Sequence, residues 1–280
     1  MIVKMTKNGC IYTCLIGDYD SLIIPSVFDD DCDYVCYTDQ KQLLCKGFIG
    51  PWKILPLLYT EQDTTRNQRW HKILGYECLG DYKYSIYIDS NVDIKSPYIY
   101  NICKDTKKPV LIPIHNVRSC IYDEIDVCEK IGKDTPETLQ RVRDFLTSEK
   151  MPHDYGLTEN NLIFRKHDSE DVKQIMYKWW EIVMSYSKRD QLSLAYVLWK
   201  YGVNISDIVI PNIRVDYKNF EVYPHISSYT VHGYLFKLLC GYEPYRPLRT
   251  FNIICKYRLK NIVFFPLSAI RWLFLKMAQY

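Results

Sequence analysis

The chain has 280 residues, 48% of them hydrophobic and 25% charged, with a formal net charge of +3. It is long enough for one substantial core or a core plus a small appendage, and its composition is that of a folded, mainly soluble protein. The excess positive charge sits in an apolar C-terminal tail, not in a polar groove, which argues against a nucleic-acid binder.

Residues 1–9 carry lysines but no apolar segment, so no secretory signal is expected. Residues 11–16 read as a first strand, closed by Gly17-Asp18-Tyr19-Asp20, and residues 34–38 as a second, followed by Asp39. Residues 64–79 read as a helix: Thr65 and Gln68 make a capping-box pattern, and Trp70, Ile73 and Leu74 supply an apolar face. The run Tyr84-Ser-Ile-Tyr-Ile-Asp89 reads as a buried strand over residues 85–88 that ends abruptly in oxygen-bearing side chains. Residues 110–114 are another strand, residues 121–131 are helical, and residues 135–147 form a helix with Pro136 in its first turn. A loop over residues 152–156 leads to a strand at residues 161–164. Residues 168–185 form a helix, with acidic residues in its first turn and Val172, Ile175, Met176, Trp179, Ile182 and Val183 at helical spacing. Residues 190–201 form a further helix, stopped at Gly202.

Strands alternating with helices predict an α/β fold, a mixed sheet flanked by helices. The expected division is a main domain over residues 1–235 and a basic, aromatic-rich helical extension over residues 236–280. After Glu243 no acidic residue remains, while Arg246, Arg249, Lys256, Arg258, Lys260, Arg271 and Lys276 are basic. Pro266 breaks the uncharged stretch between Lys260 and Arg271, too short for the ~20 residues of a span. Such a tail suits peripheral contact with an anionic membrane face; the alternative is a helix docked on the core. Eleven scattered cysteines show no zinc-like spacing, and reduced thiols in the cytoplasm are expected.

Asp89, Asn91 and Asp93 follow the central strand, where carboxylate and amide oxygens can hold Mg²⁺ or Mn²⁺ against a diphosphate. The plainer reading is a strand-to-turn junction. Ser90, between them, joins the donor-binding candidates. Arg66, Arg69 and Lys72 on the helix of residues 64–79 suit phosphate, or form a solvated basic face. Asp190 is a candidate general base for an acceptor hydroxyl, and equally an N-cap. Glu159, Asn160 and Asn161 precede a strand and suit sugar hydroxyls, or a plain turn. His115, with Arg118, Tyr122 and Glu124, follows another strand end and is either acceptor-binding or structural. His225 and His232 could complete a metal site from the C-terminal side.

Tyr12-Thr-Cys-Leu-Ile-Gly-Asp18-Tyr-Asp20, Tyr34-Val-Cys-Tyr-Thr-Asp39, Arg66-Asn-Gln-Arg69-Trp-His-Lys72, Tyr84-Ser-Ile-Tyr-Ile-Asp89-Ser-Asn91 and Arg189-Asp190-Gln191 occur in this order. As an ordered set over roughly residues 10–200 they resemble the glycosyltransferase-like family that includes plant mucilage and pollen-wall proteins and bacterial polysaccharide enzymes. The resemblance implies a GT-A type fold. By it, Asp18, Tyr19 and Asp39 line a nucleoside pocket, Arg66, Arg69 and Lys72 the diphosphate side, Asp89 and Asn91 hold the cation, and Asp190 faces the acceptor. Asn91 departs from the Asp of many GT-A enzymes, and a neutral amide ligates more weakly. The expected activity is transfer of a sugar from a nucleotide-diphosphate donor, UDP favoured, to a lipid-linked or oligosaccharide acceptor. The expected setting is bacterial O-antigen or capsule synthesis at the inner face of the plasma membrane. The alternative is a non-catalytic nucleotide-sugar or glycan-binding module on the same scaffold.

Overall fold

The computed structural model describes residues 7–223. The extension over residues 236–280, the boundary before it, His225 and His232 all lie outside the described residues. No helix among those described is long and apolar enough to cross a membrane.

The chain opens with β1 (Gly9–Leu15) and β2 (Cys32–Thr38), parallel neighbours in register from Gly9 opposite Cys32 to Leu15 opposite Thr38. A short α1 (Lys41–Leu44) leads to the antiparallel pair β3 (Phe48–Ile49) and β4 (Trp52–Pro56). The sequence reading missed both, because flanking prolines and glycines hide so short a pairing. Next come α2 (Thr64–Ile73), a 3₁₀ turn at Gly75–Cys78, and β5 (Tyr84–Ile88) at the middle of the sheet. β6 (Val92–Ile94) and α3 (Tyr98–Asp105) follow, then β7 (Val110–Pro113), α4 (Ile121–Lys130) and α5 (Pro136–Ser148). The described chain closes with β8 (Leu162–Lys166), α6 (Glu170–Ser185), α7 (Gln191–Lys200), α8 (Ile205–Ile208), β9 (Val209–Ile210) and β10 (Phe220–Val222).

The main sheet has eight strands in the order β3-β4-β2-β1-β5-β8-β7-β9, and β6 pairs with β10 in a two-stranded ribbon. The mixed α/β architecture is the one expected. β4, β2, β1 and β5 run parallel, while β8 enters antiparallel to both β5 and β7. Period-two alternation sorts the strand side chains onto two faces. Cys10, Tyr12 and Cys14 pack with α2, α4, α5, α6 and α7, while Ile11 and Leu15 pack with α3 and the ribbon. Cys10, Cys14, Cys32 and Cys36 are buried free thiols in these cores, where burial pushes each thiol up, as expected for small hydrophobes.

The helix expected over residues 64–79 stops at Ile73 and continues as the 3₁₀ turn. Its cap is also different from the one expected: Asp63, not Thr65, accepts from the Thr65 and Arg66 amides. Its C-terminal end is held by Arg165 of β8, which is fully buried. The Arg165 guanidinium donates to the Lys72 and Ile73 carbonyls, both at 2.8 Å, and to the Tyr12 hydroxyl, and lies 4.6 Å from the Tyr76 ring centre. These contacts satisfy carbonyls the helix leaves open and lock its last turn onto β1.

Candidate active site

Strand direction brings the expected residues to one end of the sheet. The carboxyl ends of β1, β5, β7 and β9 deliver residues 16–20, 89–90, 115–118 and 212–214. Because β8 runs the other way, its amino end delivers residues 159–161 to the same edge. The Asp89 amide donates to the Asn161 carbonyl at 2.9 Å, joining two of these loops. The result is a cleft of about 600 Å³ at the sheet end where α/β folds bind ligands.

A chain of charges crosses its floor. Lys72, 3% exposed, sits 3.0 Å from Asp190 and 3.3 Å from Asp89. Arg69 Nε lies 3.2 Å from the other Asp190 oxygen, an ion pair off the axis of a hydrogen bond. Tyr87 donates to Asp89 at 2.9 Å and accepts from Gln68 at 2.5 Å. Tyr87 and Asp89 are two residues apart on one strand, so alternation puts both on the same side, a signal the sequence reading passed over. Burial alone would raise the Asp190 carboxyl, but Arg69, Lys72 and Arg189 outweigh it and hold it well below the usual carboxylate range.

That finding changes the role expected of Asp190. A general base works best with a proton affinity near the operating pH, and a buried carboxylate tied to two cations is far from that. Nor does Asp190 cap α7: it occupies the N-cap position without a side-chain cap bond, because its oxygens face Lys72 and Arg69. It is the counter-ion that holds the α2 cations in place.

The metal set also separates. Asp89 lines the cleft with a quarter of its side chain exposed. Asn91, expected beside it as a ligand, is buried and donates to the Tyr223 carbonyl at 2.5 Å, pinning the segment after β10. Asp93 is buried in β6, where it accepts from the Ser26 amide and hydroxyl, each at 2.5 Å. A hard divalent cation needs several oxygens converging on one point. Among the described residues no three His, Cys, Asp or Glu side chains cluster in that way, and the charge set against Asp89 is the Lys72 ammonium. Of Asp89, Asn91 and Asp93, Asp89 alone is left at the cleft to meet a cation brought with a diphosphate.

The remaining expectations divide. Arg66 faces away from the cleft: it pairs with Asp63 at 2.8 Å and donates to the Val183 carbonyl at 3.3 Å, tying α2 to α6. Asp18 and Asp39 are exposed and line no part of the cleft; Asp39 accepts from the Gly17 amide at 2.8 Å and shapes the turn. Tyr19 and Ser90 do line it, together with Asp20. At the opposite end, Glu159 accepts from Arg214 at 2.5 Å and Asn212 at 3.2 Å. Asn160 accepts from Thr158 at 2.8 Å, but its amide nitrogen, and both polar atoms of Asn161, are buried at the cleft without a partner. Buried amides left open in this way mark a place for ligand hydroxyls. His115 turns Nδ1 inward to accept from the Val117 and Arg118 amides, at 3.2 and 3.0 Å. Burial, more than Arg118, holds its proton affinity down against Glu159 and Glu124. The ring therefore shapes its loop. Arg118 beside it pairs with Glu124 at 2.5 Å.

A family model described as TOD1/MUCI70, glycosyltransferase-like domain, matches residues 13–219. Among curated proteins nothing matches. Among solved structures, the chain is similar to the apo form of mouse xyloside xylosyltransferase 1, at 8% identity over 72% of this chain and 83% of that one, with a TM-score of 0.41. It is similar also to the apo structure of the WbbM bifunctional glycosyltransferase, at 10% identity over 76% of this chain and 40% of that one, with a TM-score of 0.45.

Proposed function

The chain belongs to the TOD1/MUCI70 glycosyltransferase-like family, and from that membership we propose that it moves a sugar from a nucleotide-diphosphate donor to a glycan acceptor. The observation that carries the reading is the triad of Asp89, Lys72 and Asp190 at the floor of the cleft, with the open amides of Asn160 and Asn161 beside it. In the transfer, the bond from the anomeric carbon to the diphosphate oxygen breaks and its electron pair leaves with the diphosphate. Lys72 and Arg69 offer fixed positive charge where that negative charge develops, in a site partly closed to water. The acceptor oxygen forms the new bond to the anomeric carbon. Its proton passes to Asp89, the most open of the carboxylates seen paired in the cleft. The Asn160 and Asn161 amides hold sugar hydroxyls, Asn160 through its Nδ2 donor and Asn161 through both donor and acceptor.

We place the acceptor in a bacterial surface glycan, O-antigen or capsule, and favour a UDP-sugar as donor. The basic tail supports a lipid-linked acceptor at a membrane face. The test is a panel of nucleotide sugars with release of nucleoside diphosphate as the readout. Asp89→Asn is expected to lower turnover by at least about 100-fold while nucleotide binding stays within about threefold. Equal turnover in the variant removes Asp89 from the chemistry. Donor binding without turnover of any member of the panel supports the binding-module reading instead.

A further inference from the structure

The two walls of the cleft differ in how their charges are matched. On the α2 wall, Lys72 and Arg69 are neutralised by Asp89 and Asp190. At the acceptor end, Arg118 and Arg214 are matched by Glu124 and Glu159. The wall facing α2 is built from Lys133, just past α4, and from Lys188 and Arg189, just before α7. All three line the cleft, and none forms an ion pair among the described residues.

This wall is organised. The Ser187 hydroxyl donates to Asp134 at 2.6 Å and accepts from the Arg189 amide at 3.1 Å, which fastens the segment before α7 to the residue next to Lys133. Arg189 donates from one terminal nitrogen to Gln191 at 3.1 Å, while its Nε is buried with no partner. The Tyr19 phenol, held up chiefly by burial and by Asp20, is drawn back by Arg189 and Arg69, which places both guanidinium groups within electrostatic reach of one ring. The mouth of the donor half is thus flanked by Arg69, ion-paired to Asp190, and by Arg189, which feels Asp190 but forms no ion pair among the described residues. A planar guanidinium whose fork is not taken up by a carboxylate is suited to two oxygens of a phosphate.

We propose that Arg189, supported by Lys188 and Lys133, grips the diphosphate of the donor, a part expected from the sequence of Arg66, Arg69 and Lys72. The inference rests on the glycosyltransferase reading and names the wall that reading leaves unassigned. A diphosphate brings roughly two negative charges, which three unmatched cations can take up without breaking the Lys72 and Asp190 pair. Arg66, already paired with Asp63 and turned toward α6, is left outside the site.

The test is calorimetric titration of the full chain with inorganic pyrophosphate, which needs no knowledge of base or sugar, alongside donor kinetics. Arg189→Gln is expected to weaken pyrophosphate binding by about tenfold or more, and Lys188→Gln by roughly threefold. Arg66→Gln is expected to stay within about twofold. Arg189→Lys, which keeps charge but not the fork, falls between and serves if the Gln variant does not fold. In turnover, Arg189→Gln is expected to raise the donor KM with kcat little changed. Unchanged pyrophosphate affinity in Arg189→Gln and Arg189→Lys, an equal loss in Arg66→Gln, or no pyrophosphate binding by the wild type would each overturn the proposal. Donor turnover with an unaltered KM in Arg189→Gln sinks this inference alone. Pyrophosphate affinity lost in that variant, with no donor turned over by the wild type, sinks the proposed function and leaves the anion wall standing.

Discussion

Asp190 shows how an environment converts one residue type into another role. Its carboxylate is nearly sealed from solvent between Lys72 and Arg69, and those charges, not the N-cap position, decide what it does. Removing one member of a buried pair leaves the others uncompensated, so Asp190→Asn is expected to cost about 3–5 kcal/mol at neutral pH. The sign of its pH dependence follows from the depressed proton affinity. A carboxylate held below its unfolded value stabilises the fold above that value, and loses the contribution as pH falls through the folded one. The gap in urea midpoint between wild type and Asp190→Asn is therefore expected to be widest at neutral pH and to narrow below about pH 4. A gap of constant size from neutral to acid would mean that the carboxylate is not paired as described. Asn91 makes the same point from the other side: its neighbour Asp89 faces the cleft while its own amide is used to hold the Tyr223 carbonyl.

At the scale of elements, α2 is the member that has to be right. It carries Gln68, Arg69 and Lys72 on one side and is clamped at both ends, by Asp63 at its start and by Arg165 at its finish. His71 adds a third tie, donating from Nδ1 to the Asn67 carbonyl at 2.8 Å and accepting from the Leu58 amide at 2.9 Å. Arg165→Met would keep most of the side-chain volume but strand the Ile73 carbonyl in the core and leave the Lys72 carbonyl only its bond from the Tyr12 hydroxyl. A loss of about 1–3 kcal/mol in unfolding free energy is expected, read from denaturant unfolding. A loss under about 1 kcal/mol would show that water or other groups take over those acceptors. The antiparallel entry of β8 matters as much, since it turns residues 159–161 toward the cleft instead of the opposite end of the sheet.

For the molecule as a whole, His167, His71 and His115, each with its proton affinity held down by burial, weaken the fold in acid. Burial pushes His167 down to about 4, with Arg165 adding to the effect, and burial likewise lowers His71. Once unfolded, both regain ordinary values near 6.5. Between those limits the unfolded chain binds more protons than the folded one, so stability rises with pH through that window and falls as acid is added. The thermal midpoint is expected to climb from about pH 4.5 to 7, and His167→Gln to flatten part of the slope. A flat profile would contradict the buried neutral rings.

Much of this was legible in the chain as written. Strand and helix identities follow from side-chain periodicity, which is a local property: β1, β2, β5, β7, β8 and the helices α4 to α7 lie close to where their patterns put them. The placement of Asp89 at a central strand end was equally readable, because a buried apolar run ending in a carboxylate has few other places to go. What folding alone decided is which charges meet. Lys72 and Asp190 are 118 residues apart, and only the packing of α2 against β1 and α6, and of α6 against α7, brings them within 3.0 Å. The same packing turned Arg66 toward α6, while the pairing of β6 with β10 buried Asn91 and Arg189 was left outside any ion pair among the described residues. A pattern along the chain specifies faces and ends of elements, whereas pairing energies depend on distance and burial between elements, and those exist only once the sheet is assembled.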